Sequence, residues 1–146
     1  MAGTLSAWLV AARAQAIGVA GAKLSEETIH TIRQPGRSPK HQEFAIGRTR
    51  SVPLEGRQRP AVGMPVHHSI QLIAAFQLNP KDRATSLDTA IAFEAALRAK
   101  MLDQSWHSAA AVAANCVYTG TEEAAGVDGW VWFTLGFDVT QTLDIS

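Results

Sequence analysis

His41-Gln-Glu-Phe-Ala-Ile-Gly-Arg-Thr-Arg50 and Val66-His-His-Ser-Ile-Gln-Leu-Ile-Ala-Ala-Phe-Gln-Leu78 are the two stretches that decide the fold. In the second, Val66, His68, Ile70, Leu72, Ala74, Phe76 and Leu78 fall on one side of an extended chain, with His67, Ser69, Gln71 and Gln77 on the other. That is the alternation of a half-buried antiparallel strand. The first stretch reads as its hairpin partner. Thirteen residues at about 3.3 Å each span about 43 Å, more than the width of about 30 to 40 Å expected of a domain this size. The length therefore predicts either a bulge that bends the strand or an N-terminal end that projects.

Between the two stretches lies Ser51-Val-Pro-Leu-Glu-Gly-Arg-Gln-Arg-Pro-Ala-Val-Gly-Met-Pro65, far longer than a hairpin turn requires and too rich in Pro and Gly for regular structure. Past the long strand, Asn79-Pro-Lys-Asp82 stops the ladder, since Pro80 has no N–H to give it. An alanine-rich helix follows, with Thr85 or Ser86 expected as its cap and Asp88 in its first turn. Phe93, Leu97, Ala90, Met101, Leu87, Ile91 and Leu102 make one broad apolar face, and Ala92, Ala95, Ala96 and Ala99 a second, smooth one. Such a helix is expected to pack on two sides. Glu94 and Arg98, at i, i+4 inside the broad arc, either pair there or face a neighbouring subunit.

Upstream, Leu5, Trp8, Leu9, Ala12 and Ala16 fall at helical spacing behind Thr4, which predicts a helix over residues 4–17 ending near Gly18. Residues 25–33 combine a helix-start signal with strand-like alternation and stay undecided, and 33–40 is a loop by its prolines and glycine. Downstream, strands are expected over about 112–119 and 130–140. In the last, Val131, Phe133, Leu135, Phe137 and Val139 face one side, while Trp130 and Trp132 on the other need cover from a helix or a partner chain. The expected class is α+β: a twisted, mainly antiparallel sheet flanked by helices, with a long hairpin loop. One domain over 1–146 is expected, with a helix and an extended segment (1–40) leading into a sheet and helix core (41–140).

The composition is that of a soluble globular chain, 47% hydrophobic and 18% charged over 146 residues. No run approaches a membrane span and no signal peptide is apparent, so a cytoplasmic origin without membrane contact is expected. Cys116 is alone in an apolar run and is expected to be a small buried hydrophobe. The zero net charge conceals segregation. Arg33, Arg37, Lys40, Arg48, Arg50, Arg57 and Arg59 stand against only Glu43 and Glu55 between 33 and 59. From residue 101 onward there is no Lys or Arg, against Asp103, Glu122, Glu123, Asp128, Asp138 and Asp144. The opposite charges either pair within the fold, pair between copies head to tail, or form solvated faces.

Chemistry-bearing patterns are scarce. His67 and His68 point to opposite faces of a strand and have no further ligand at metal spacing, the Gly18–Gly21 stretch lacks the features of a phosphate loop, and no Gly-x-Ser-x-Gly elbow is present. No catalytic residue, metal or cofactor is expected. A nucleic-acid module using the basic loop is the alternative, although the basic segment offers only Phe44 for stacking.

The order of a leading helix, His41-Gln-Glu-Phe-Ala-Ile-Gly-Arg48, an Arg-rich loop, Leu72-Ile-Ala-Ala-Phe-Gln-Leu78, the Asn-Pro-Lys-Asp turn, Ala84-Thr-Ser-Leu-Asp-Thr-Ala-Ile91 and Gly129-Trp-Val-Trp-Phe-Thr-Leu-Gly-Phe-Asp-Val139 resembles the tail terminator, or tail completion, proteins of long-tailed bacteriophages over about residues 41–140. The resemblance implies a structural protein of the virion, made in the host cytoplasm. It would form a hexameric ring on the head-proximal end of the tail tube, meet the tube protein and the head connector, and let DNA pass through its lumen without sequence-specific binding. It places Arg48, Arg50, Arg57 and Arg59 on the subunit or tube interface, with Trp130, Trp132, Glu94 and Arg98 as further candidates. The segment from Lys23 to Lys40 departs from the family pattern.

Overall fold

The computed structural model describes residues 4–53, 64–110 and 112–143. The elements run α1 (Leu5–Ile17), β1 (Lys23–Leu24), β2 (Glu43–Pro53), β3 (Met64–Gln77), α2 (Arg83–Met101), the short α3 (Gln104–His107), β4 (Asn115–Ala125) and β5 (Trp130–Leu143). The fold is α+β. The five strands of the described residues form one open sheet in the order β1-β2-β3-β5-β4, antiparallel except for β1 beside β2.

The long strand sets the frame. β3 pairs with β5 without a register break from Met64↔Leu143 to Gln77↔Trp130. The bulge expected in so long a strand is absent from β3 itself; extra residues sit instead at Thr49 in the adjacent β2 and at Thr119 in β4, which pairs with β5. Alternation puts Ile70, Leu72, Ala74 and Phe76 of β3 in one cluster with Val131, Phe133, Leu135, Phe137 and Val139 of β5. Both long helices cover this face. α1 brings Trp8, Ala12 and Ala16, and α2 brings Ala90, Phe93, Leu97 and Met101. Trp8 Nε1 donates to His107 Nδ1 at 3.2 Å, which ties α1 to α3 inside the core.

The sheet has a second core on its other face. Parallel neighbours need a crossover between them, and residues 25–42 between β1 and β2 provide it. On the way they lay Ile29 and Ile32 over Ala45, Ile73, Ala75 and Trp132, with Trp130 packed alongside. The same spacing that left 25–33 undecided serves here: a turn closed by the Ile32 N–H on the Thr28 carbonyl at 2.9 Å presents both isoleucines to the sheet. Arg37 fastens the crossover. Its guanidinium reaches Glu43 Oε1 and Oε2 at 2.5 and 2.8 Å, the Ile32 carbonyl at 3.1 Å and Glu27 at 3.5 Å.

Several boundaries differ from the sequence reading. Ser51, Val52 and Pro53 belong to β2 because His68, His67 and Val66 pair with them, and β3 begins at Met64, so the loop is shorter than 51–65. The cap of α2 is Asp82, whose carboxylate accepts from Thr85 N at 3.3 Å; Ser86 receives the Asn79 N–H instead, at 2.9 Å. Asp88 therefore sits in the second turn. β4 runs 115–125 and not 112–119, since pairing with β5 carries it through the polar Thr121-Glu-Glu123 stretch. Gly120, at φ +130, supplies a conformation open chiefly to glycine beside the extra Thr119. Against the described residues α2 packs on one side only: Ala92, Ala96 and Ala99 are exposed, and Ile91 keeps 46% of its surface.

Candidate assembly surfaces

Two members of each charged stretch lie on the margins of the sheet, while Arg33 and Arg37 sit on the crossover, Asp103 caps α3 and Asp138 lies on β5. Arg48 and Arg50 lie on β2, both exposed, and the one side-chain hydrogen bond of either among the described residues is the 3.4 Å approach of the Arg48 guanidinium to Ser51 Oγ. Arg57 and Arg59 lie outside the described residues. β1 covers β2 only at Glu43 and Phe44, so beyond them the outer side of β2 meets no strand among the described residues. Arg13 reaches across from α1 to the Ile46 carbonyl at 3.2 Å. Beside it opens a concavity of about 760 Å³ whose apolar wall is Leu5, Leu9, Leu24 and Ile29. The opposite margin is β4, with Glu122 and Glu123 exposed and Val117 keeping 54% of its surface.

The remaining residues singled out in the sequence are engaged within the chain. Trp132 is only 7% exposed. Its cover is the crossover, a source the sequence reading did not weigh, and Arg33 stacks over its ring at 5.2 Å. Trp130 packs on the same cluster and keeps part of its surface. Glu94, 6% exposed, accepts from Thr121 Oγ1 at 2.8 Å and pairs with Arg98 at 3.7 Å. Arg98 in turn lies over the Tyr118 ring, and its guanidinium approaches the Tyr118 hydroxyl at 3.4 Å. This pair joins α2 to β4, so of the two alternatives for Glu94 and Arg98 the internal pairing is the one present.

The histidines divide as the alternation requires. His67 Nε2 meets Asp138 at 3.2 Å on the crossover face of the sheet. His68, 2% exposed on the helix face, holds Ser51 Oγ against Nδ1 at 2.6 Å. Burial, with the positive charge of Arg48 adding to it, keeps the His68 imidazole below its ordinary value and so neutral. Its Nε2 and the neighbouring Gln141 Oε1 are buried without a hydrogen-bond partner among the described residues, while Gln141 Nε2 donates to the Thr4 and Val112 carbonyls at 3.1 and 2.6 Å. Cys116 is buried, and desolvation with the nearby Asp138 charge pushes its thiol up to about 12. Such a thiol is inert at neutral pH.

The sequence signal for the margins was the segregation of charge along the chain. What it lacked was the strand order, which sets Arg48 and Arg50 at one edge and Glu122 and Glu123 at the other. Among the described residues no helix is long and apolar enough to cross a membrane. Compared with known proteins, the chain matches no family model and no curated protein.

Proposed function

We propose that this chain is a structural assembly protein that forms a hexameric ring, closes the head-proximal end of a bacteriophage tail tube and presents a surface to the head connector. The observation that carries the reading is the pair of unlike margins, basic on β2 and acidic on β4, at opposite ends of one sheet. A closed head-to-tail assembly requires two different, complementary patches on each copy. The exposed alanines of α2 add a smooth surface on which another chain can lie closely. The tail-specific part of the proposal is supported by the order of elements and the motifs that resemble tail terminators. In it, DNA passes through the ring without being read.

The test is tube polymerisation followed by electron microscopy. Added to its tube protein, the chain should cap one end of each tube and stop growth, and Arg57→Glu with Arg59→Glu should abolish capping while leaving the melting transition unchanged. The nucleic-acid alternative is favoured by the same exposed Arg48 and Arg50 at the base of the loop. It predicts that the double variant caps normally but loses duplex binding that, in the wild type, weakens steeply with salt.

A further inference from the structure

An edge strand leaves a row of main-chain donors and acceptors without ladder partners, which makes it the part of a sheet most open to a second chain. Among the described residues the sheet has two such edges: the outer side of β2 beyond Phe44, and β4. Like edges repel. Two β2 edges would set Arg48 and Arg50 against arginines, and two β4 edges would set Glu122 and Glu123 against glutamates. Only unlike edges match in charge.

We propose that successive copies in the ring join by antiparallel pairing of β2 of one copy with β4 of the next, in the register that sets Arg48 opposite Glu123 and Arg50 opposite Glu122. The inference rests on the ring reading above and names its joint. The register follows from the faces. On β2, Arg48 stands across from Ile70 and so on the helix side, whereas Arg50 stands across from Ser69 on the other. On β4, Glu123 stands across from Phe133 on the helix side and Glu122 across from Thr134 on the other. A sheet that continues through the joint must keep like sides together, and only these two charge pairs do so.

The bulge makes both pairs possible at once. From Arg48 to Arg50 the chain advances two residues while the partner advances one, the same step that β2 already makes against Ile70 and Ser69 of β3. Continuing the register sets Ile46, whose carbonyl also accepts from Arg13 at 3.2 Å, beside Ala125 and Ser51 beside Thr121 on the helix side, and Val52 beside Gly120 on the other. At one end it stops at Pro53, which has no N–H, opposite Thr119, where β4 has its own extra residue. At the other end it carries the turn after Ala125, with Val127 78% exposed, towards Leu24 and the apolar concavity beside Ile46. The antiparallel sense is the one that the alternating directions of β2, β3, β5 and β4 require when a rotation repeats the sheet around an axis.

Two charge-reversal variants test the joint: Arg48→Glu with Arg50→Glu, and Glu122→Lys with Glu123→Lys. All four positions are exposed, so each variant should melt like the wild type. Each alone should form rings at about a tenth or less of the wild-type yield, because like charges then meet at every joint. Mixed in equal amounts they should recover rings, with the two variants alternating and the copy number even. Either variant assembling alone like the wild type, or a mixture that does not recover, overturns the joint. If a variant does not fold, Arg48→Cys with Glu123→Cys replaces it: oxidation should link copies into a closed ladder, and rings that stay unlinked overturn the joint. A wild-type chain that forms no ring, alone or with its tube protein, overturns the ring reading itself.

Discussion

Replacing Arg37 with Ala removes the cation that holds the crossover against the sheet. The Arg37 side chain is 15% exposed and that of Glu43 is 2% exposed, and the two are joined by bonds of 2.5 and 2.8 Å. Removing one partner of a buried pair costs about 3 to 5 kcal/mol, since the other charge is left without water or counter-ion. Here the vacated guanidinium space reaches the surface, so water entry or proton uptake by Glu43 should bring the loss at neutral pH to about 2 to 3 kcal/mol. That is a large part of the about 5 to 15 kcal/mol that holds a domain folded. The sign of the pH dependence is fixed by Glu43. In the wild type, burial opposes its charge, but the hydrogen bonds and charge of Arg37 prevail and hold the carboxyl below its ordinary value. Its contribution is therefore present above the ordinary carboxylate range and lost as pH falls through the lower folded value. Without Arg37 only the hydrogen bonds of the Lys40 main chain and Ser25 oppose the burial, which is the largest influence on Glu43; the folded carboxyl should then move above its unfolded value, and acid relieves the penalty. The gap between wild type and variant should be widest at neutral pH and narrow towards about pH 4. Urea melts at both pH values measure it, and tryptophan emission reports the site because Trp132 lies under the same crossover. Arg37→Met combined with Glu43→Leu should recover most of the loss. A loss below about 0.5 kcal/mol at neutral pH, or a gap that stays constant with pH, would refute the role given to this pair.

Other outcomes follow from the core. Phe76 and Phe137 are 5% and 1% exposed in one cluster, so either one changed to Ala should cost about 3 to 5 kcal/mol in urea melts; a loss below about 1 kcal/mol at both would mean that the strand faces are wrongly assigned. His107 accepts from Trp8 on Nδ1 and lies 2.6 Å from the Met101 carbonyl through Nε2, which fixes the neutral ring, and burial holds it below its ordinary value. Stability should thus be level above the unfolded histidine range, about pH 6.5, and fall below it as the unfolded chain takes up protons. His107→Gln should flatten part of that slope, whereas an unchanged slope would show that His107 does not contribute. The Cys116 thiol should ignore an aromatic disulfide reagent at about pH 8 in the native protein and react at once in urea.

The strands and helices that bury one face were legible because their apolar residues repeat with periods of two and about 3.6. β3, β5, α1 and most of α2 were visible on that ground. The crossover was not, because Ile29 and Ile32 are two isolated apolar residues whose use depends on β1, a strand of two residues that pairs with Glu43 and Phe44 from far along the chain. The fate of Trp132 was hidden for the same reason: alternation shows that it faces away from the main core, and only the course of residues 25–42 shows what covers it. The Glu94 and Arg98 pair could be read from its spacing, whereas its link to Thr121 and Tyr118 required the packing of α2 on β4. The charge margins lay between these cases. Their residues were plain in the sequence, and their separation to opposite edges is a property of strand order.

The central claim, that copies of this chain close into a ring, is tested most directly by native mass spectrometry of the purified protein, alone and with tube protein. The account predicts one closed species at six times the 15.6 kDa chain mass, which dissociates as salt screens the joints. A chain that stays monomeric under both conditions would contradict it.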